Sequence, residues 1–108
     1  MTTAVTGASG FLGGAVVRSL LTQGRVVRAV DLHRGPTLDG LEVEFVHGDV
    51  LEPTTLMDAF EGVDMVYHLV ALISIAGDPS GQVRRVNVDG VRNVALASLE
   101  SGVKRMIH

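Results

Sequence analysis

The stretch Val5-Thr6-Gly7-Ala8-Ser9-Gly10-Phe11-Leu12-Gly13 decides how the rest of the chain is read. Before it, Thr2 to Thr6 reads as a short strand. After it, Phe11 to Gln23 reads as a helix, with Leu12, Val16 and Leu20 beside Ala15 on one apolar stripe. A strand that passes through three spaced glycines into a helix is the setting in which such a turn can hold phosphates. Gly7 permits the sharp turn, Gly10 offers a backbone that a pyrophosphate can approach, and Gly13 lets the helix pack closely. Free N–H groups and the helix dipole would face the anion, and the Ser9 hydroxyl could add a donor. The competing reading is a glycine turn of purely structural use.

Outward from this turn, strands and helices alternate. Gly24 ends the first helix in the usual C-terminal position. Arg25 to Asp31 is a second strand and His33 to Gly40 a loop around Gly35-Pro36. Val43 to His47 is a third strand, and Pro53 opens a short helix that runs to about Phe60. Asp64 to Leu69 is a fourth strand, and Ala76 to Gly81 a loop. Gln82 to Glu100 is the longest helix, with Val88, Val91, Ala95 and Leu99 on one stripe, and Lys104 to His108 is a fifth strand. Such alternation implies parallel pairing through right-handed crossovers. The expected fold is α/β: a Rossmann-type doubly wound parallel sheet of order 3-2-1-4-5, incomplete, with residues 1–108 the N-terminal part of one dinucleotide-binding domain.

Composition narrows the function classes. The chain has 108 residues, of which 46% are hydrophobic, and a mean hydropathy of +0.34. That is apolar for so small a unit, as though its strands were meant to be covered on both faces and it belonged to something larger. An apolar surface left open would make these residues alone associate. The net charge is −3 and the nine basic residues are scattered, which argues against nucleic-acid binding. No apolar run approaches membrane-spanning length, and the N-terminus carries no signal segment. Cysteine is absent, in keeping with a reducing compartment, and a cytoplasmic location is expected. No His, Cys or carboxylate set has metal-ligand spacing, so no metal is expected.

Three further elements carry chemistry. Asp31 ends the second strand about 20 residues beyond the glycines, where an acid can accept from the adenosine ribose hydroxyls and repel a 2′-phosphate. This favours NAD over NADP. Nearby Arg34 points the other way, since an arginine could accept a 2′-phosphate, and an ordinary strand-end turn would also explain Asp31. Asp49 after the third strand could accept from the adenine amino group, although Gly48-Asp49 is also a common turn. His68-Leu69-Val70-Ala71 ends the fourth strand at the switch point where ligands bind such sheets. His68 itself reads as a packed strand residue, like His47 and His108, and His33 as a solvated one. Asn87, Gly90 and Asn93 are poor helix formers, costing up to ~1 kcal/mol each relative to Ala. Gly90 could permit close packing and Asn87 could orient a polar network near the fourth strand; a structural role is the alternative.

Together, Thr6 to Gly13, Asp31, Asp49, His68 to Ala71 and Asn87-Val88-Asp89-Gly90-Val91-Arg92-Asn93-Val94 resemble the extended short-chain dehydrogenase/reductase family, the NAD-dependent epimerase/dehydratase group. The segment Leu72 to Asp78 leans towards its dihydroflavonol-reductase-like branch. The resemblance implies that Gly7, Gly10 and Gly13 cradle the pyrophosphate with backbone N–H groups of Phe11 and Leu12. It implies that Asp31 binds the adenine ribose, that Asp49 and Val50 contact adenine, and that Leu69, Val70 and Ala71 run under the cofactor. Asn87 would support an active-site water network. The implied activity is NAD(P)-dependent oxidation, reduction or epimerisation at a secondary alcohol or ketone of a small molecule such as a sugar nucleotide, steroid or flavonoid, in an enzyme that forms a homodimer when complete. The family's catalytic Ser/Thr and Tyr-x-x-x-Lys dyad have no match here. Tyr67 lies within the fourth strand and Lys104 is not four residues after a tyrosine. A longer enzyme is therefore expected, with a short non-catalytic dinucleotide-binding sensor or interaction module as the alternative.

Overall fold

A computed structural model describes residues 1–72 and 77–108. Residues 73–76, part of the segment read as leaning towards the dihydroflavonol-reductase-like branch, lie outside the described residues. Among the described residues five parallel strands, β1 (Thr2–Thr6), β2 (Val26–Asp31), β3 (Glu44–His47), β4 (Met65–His68) and β5 (Arg105–Ile107), form one sheet in the order β3-β2-β1-β4-β5. This is the expected doubly wound arrangement, with the order reversing between β1 and β4. In the central register Val5 lies between Ala29 of β2 and Tyr67 of β4.

Strand side chains alternate between faces, and the sheet has a core on each. On one face Val5, Val27 and Ala29 pack with Ala8, Val17, Leu20 and Leu38 beneath α1 (Phe11–Thr22). On the other, Ala4, Val30 and Val66 pack with Leu56, Phe60, Val86, Val94 and Ala97. That second layer comes from α2 (Pro53–Ala59) and from a composite helix. The composite consists of α3 (Gln82–Arg84), a π-helical stretch (Arg85–Gly90) and α4 (Val91–Glu100), where one unbroken α-helix was expected.

The buried faces of both long helices differ from the expected stripes. In α1 the buried residues are Gly13, Gly14, Val17 and Leu20, whereas Leu12 is exposed and Ala15 faces solvent. In the composite helix they are Val86, Gly90, Val94, Ala97 and Ser98, whereas Val88, Ala95 and Leu99 are exposed. The reason is steric in each case. A Cβ on Gly14 would lie 2.9 Å from Thr37 Cβ, and one on Gly90 would lie 2.8 Å from Val50 Cγ2. Close approach at these points demands small residues, so glycines share the packed face with Val17 and Leu20 in α1 and with Val86 and Val94 in the composite helix.

The loop after β2 is also more ordered than expected. Pro36–Leu38 forms a 3-10 turn, and Leu38 is fully buried against the α1 core. Among the described residues no helix is long and apolar enough to cross a membrane.

Candidate functional site

The C-terminal ends of β1, β2 and β4 converge on the glycine turn. Gly7 has a φ of +71°, a left-handed conformation that glycine adopts without a Cβ penalty. A Cβ there would also lie 2.9 Å from the backbone carbonyl carbon and oxygen of Leu69. Gly7 therefore lets the end of β4 cross directly over the turn. A Cβ on Gly13 would fall 1.9 Å from the Gly7 carbonyl oxygen and 2.9 Å from Ala8 Cα. The close packing expected at Gly13 is thus against the turn itself rather than against the sheet. Gly10 is the N-cap of α1 and offers no capping side chain, and the first α-helical return runs from Gly14 N to Gly10 O at 2.9 Å. The N–H groups of Phe11 and Leu12 lie ahead of that return, at the positive end of the helix. Their side chains point into solvent, with Phe11 94% exposed.

Beside the turn, Asp31 closes β2. Its carboxylate accepts from Ser9 N at 3.0 Å and from Leu32 N at 2.7 Å. The Ser9 hydroxyl donates to His33 O at 2.6 Å and accepts from Gly35 N at 2.8 Å. Arg34 is turned back along its own loop, donating to Leu38 O at 3.3 Å.

A cavity of about 200 Å³ adjoins Asp31, lined by Leu32, Asp49, Val50, Val70, Leu72 and Val86 among others. Of the residues singled out from sequence it brings together Asp31, Asp49, Val50 and Val70. Gly7, Gly10, Gly13, Phe11 and Leu12 form the neighbouring turn outside its lining, and Leu69 and Ala71 lie on the strand end beside Val70. Leu32, Leu72, Gln82 and Val86 line the cavity and were missed. Val86 carried a signal only in retrospect, since Val86, Gly90 and Val94 recur at helical spacing through a glycine. Two amides fix the cavity walls. Asn87 clasps the backbone of Leu72, accepting from its N–H at 2.9 Å and donating to its carbonyl at 2.8 Å. Asn93 donates to Val50 O at 2.8 Å. Asp49 accepts from Leu51 N at 2.9 Å, which turns the segment carrying Val50.

His68 is a packed strand residue, as expected, and its setting is unusual. The ring is 2% exposed and stacks on His108 at 5.6 Å between centroids. Thr6 Oγ1 accepts from Leu69 N at 3.2 Å and lies 2.7 Å from His68 Nδ1. The hydroxyl and Nδ1 share one hydrogen bond, and Nε2 is buried without a partner among the described residues. Burial, and then the nearby His108 charge, push the His68 pKa down to about 4. At the start of α3, Asp78 accepts from Arg84 N and Val83 N at 3.0 Å each. These backbone donors, that of Arg84 foremost, hold its carboxyl below the ordinary value.

A doubly wound sheet with a glycine turn, a strand-end acid and a cavity at its switch point defines a nucleotide-binding domain of the short-chain dehydrogenase/reductase superfamily. The model of the 3-beta hydroxysteroid dehydrogenase/isomerase family matches residues 4–108, and the chain belongs to that family. It is 41% identical to sterol demethylase protein B of Methylococcus capsulatus over 100% of its own length and 34% of that protein. It is 35% identical to human 3 beta-hydroxysteroid dehydrogenase type 7 over 96% of its length and 31% of that protein. Among solved structures it superposes on a short-chain dehydrogenase/reductase superfamily protein from Agrobacterium tumefaciens with bound NAD. That match has a TM-score of 0.83 and 40% identity, covering 98% of this chain and 31% of the other. The chain thus spans about a third of the length of the relatives it matches.

Proposed function

We propose that these residues are the cofactor-binding portion of an NAD-dependent oxidoreductase or epimerase that acts on a secondary alcohol or ketone of a small molecule. The observation that carries this reading is the cavity that joins Asp31, Asp49, Val50 and Val70 beside a glycine turn with uncapped N–H groups. The residues fit the dinucleotide. The turn at Gly7, Gly10 and Gly13, with Phe11 and Leu12 N–H, would receive the pyrophosphate. The Asp31 carboxylate keeps lone pairs for the adenine ribose hydroxyls. Asp49 and Val50 would contact adenine, Leu69, Val70 and Ala71 would line the cofactor's path, and Asn87 holds the Leu72 backbone in place. Bound NAD supplies the hydride acceptor. No tyrosine here stands four residues before a lysine, so we assign the acid–base groups to a part of the protein outside these residues. Of the two relatives, one is named for a sterol and the other for a 3 beta-hydroxysteroid, which favours a sterol or steroid over a sugar nucleotide or flavonoid.

Calorimetric titration of the full protein with NAD and with ADP-ribose tests this reading. Saturable one-site binding of both is expected. Asp31→Ala should weaken NAD about tenfold, as losing hydrogen bonds to a charged group predicts, and should weaken NADP less. Absence of binding by the unaltered protein overturns the reading, and equal losses for the two dinucleotides overturn the choice of NAD.

A further inference from the structure

All three polar groups of Ser9 are engaged, and all with the same region. Its N–H donates to Asp31 Oδ2 at 3.0 Å and its carbonyl accepts from Thr37 Oγ1 at 3.0 Å. Its hydroxyl donates to His33 O at 2.6 Å and accepts from Gly35 N at 2.8 Å. The last two bonds fall on the residues immediately before and after Arg34. One hydroxyl thus fixes the peptide on both sides of the arginine and sets the direction in which its side chain leaves the chain.

Packing reinforces this segment. A Cβ on Gly35 would lie 3.0 Å from Ser9 Cβ, and Thr37 Cβ fills the space over Gly14. Arg18 Nη2 donates to Thr37 O at 2.6 Å, and Leu38 is buried beneath α1. Residues 33–37 are therefore strapped onto the start of α1. Arg34, by contrast, is an exposed residue whose guanidinium is held by one long bond to Leu38 O. Its side chain is weakly held while its backbone is firmly held.

We propose that Ser9 is a positioning residue that sets the preference for NAD over NADP, acting through Arg34; this rests on the cofactor reading above. A 2′-phosphate placed beside Asp31 brings close to two negative charges against a carboxylate. An arginine fork could offset that repulsion with paired charge-assisted hydrogen bonds. Asp31 is thus one half of the discrimination, and the withdrawal of Arg34 from it is the other. Release of the His33 and Gly35 peptides from Ser9 frees the Arg34 backbone to turn and lets the guanidinium reach the 2′ position.

The test is calorimetric titration of the full protein with NAD and NADP, read as the ratio of the two Kd values. Ser9→Ala should narrow that ratio about five- to tenfold, the scale of one or two lost hydrogen bonds, and mainly by tighter NADP binding. Arg34→Gln alone should leave the ratio within about twofold. Added to Ser9→Ala, it should cancel the gain. A structural defect at the turn would weaken both dinucleotides alike, so an unchanged ratio in Ser9→Ala overturns the proposal. So does a narrowing that persists without Arg34. Should Ser9→Ala lose its fold by circular dichroism, Thr37→Val removes one strap bond to Ser9 O. It should narrow the ratio by about two- to threefold, and no change there is equally fatal. An unaltered protein that binds neither dinucleotide overturns the cofactor reading and this one with it, whereas binding with a fixed ratio overturns this one alone.

Discussion

Helix α1 and the composite helix from Gln82 to Glu100 both begin at the C-terminal edge of the sheet, and they differ in which atoms they bring there. Helix α1 brings backbone. Its first turn has no capping side chain, Phe11 and Leu12 project into solvent, and its close fit comes from Gly13 and Gly14. The composite helix brings side chains. Asn87 clasps Leu72, Asn93 holds Val50 O, and Val86 lines the cavity from within the π-helical stretch. Mid-helix π turns frequently mark functional positions because they re-aim side chains that a regular helix would place elsewhere. A backbone site tolerates almost any side chain except at its glycines. A side-chain site depends on particular amides and is less strict about the glycine between them.

The largest expected effect breaks this contrast at the two glycines. A Cβ at Gly13 meets the Gly7 carbonyl at 1.9 Å, and backbone on both sides prevents relaxation. Gly13→Ala should cost about 3 kcal/mol or more. A Cβ at Gly90 meets a side-chain methyl of Val50 at 2.8 Å. The overpacking there, about 1–3 kcal/mol, is offset by up to ~1 kcal/mol of helix propensity. Gly90→Ala should therefore cost less in urea denaturation. Equal losses would mean that the second helix is as tightly keyed to its backbone as the first.

That contrast also explains what the sequence made legible. Backbone chemistry restricts residue type at fixed spacing, so the sharp turn at Gly7 and the close approach at Gly13 were readable, and the strand order followed from strands and helices in alternation. Leu20 is buried and Val16 packs against the core, but Leu12, Val88, Ala95 and Leu99 of the two apolar stripes are exposed, because hydrophobicity alone does not mark the buried face. Close packing put Gly13, Gly14, Gly90, Ala97 and Ser98 inside instead. The strap at 33–37 was read as a loop because its order comes from long-range bonds to Ser9 and Arg18, which leave no local period. The cavity lining at Gln82 and Val86 depends on the π-helical stretch, which no residue pattern announced.

A smaller effect is expected at the junction of the two regions, where Thr6 of β1 meets His68 of β4. His68 has an ordinary value of 6.5, lowered to about 4 in the fold. Above pH 6.5 neither the folded nor the unfolded state holds the proton, and the group contributes no pH dependence. Between 6.5 and about 4 the unfolded chain takes up the proton and the fold does not, so stability falls as pH falls; below that the loss levels off. Acidification from pH 7 to pH 5 should cost about 1–2 kcal/mol through this residue. In His68→Gln the slope over that interval should be shallower by up to one proton. Identical slopes would mean that the ring takes up its proton in the fold at the same pH as in the unfolded chain, so that burial does not hold it neutral.

The smallest stability effect, and the sharpest for the comparison, is expected at Asn87. Its two bonds to Leu72 lie at an exposed edge, so Asn87→Ala should cost only about 1 kcal/mol. The Leu72 backbone it releases forms one wall of the cavity, whereas the glycine turn lies outside that lining. Affinity for ADP-ribose should therefore fall about three- to tenfold, while that for inorganic pyrophosphate, which needs only the turn, should not change. Asn87→Asp separates the two roles of the amide: it keeps the acceptor for Leu72 N but places a second oxygen against Leu72 O. It should weaken ADP-ribose as much as the alanine does. If both variants instead weaken pyrophosphate equally, the composite helix is acting on the turn through the sheet, and the division of labour between backbone and side-chain helices does not hold.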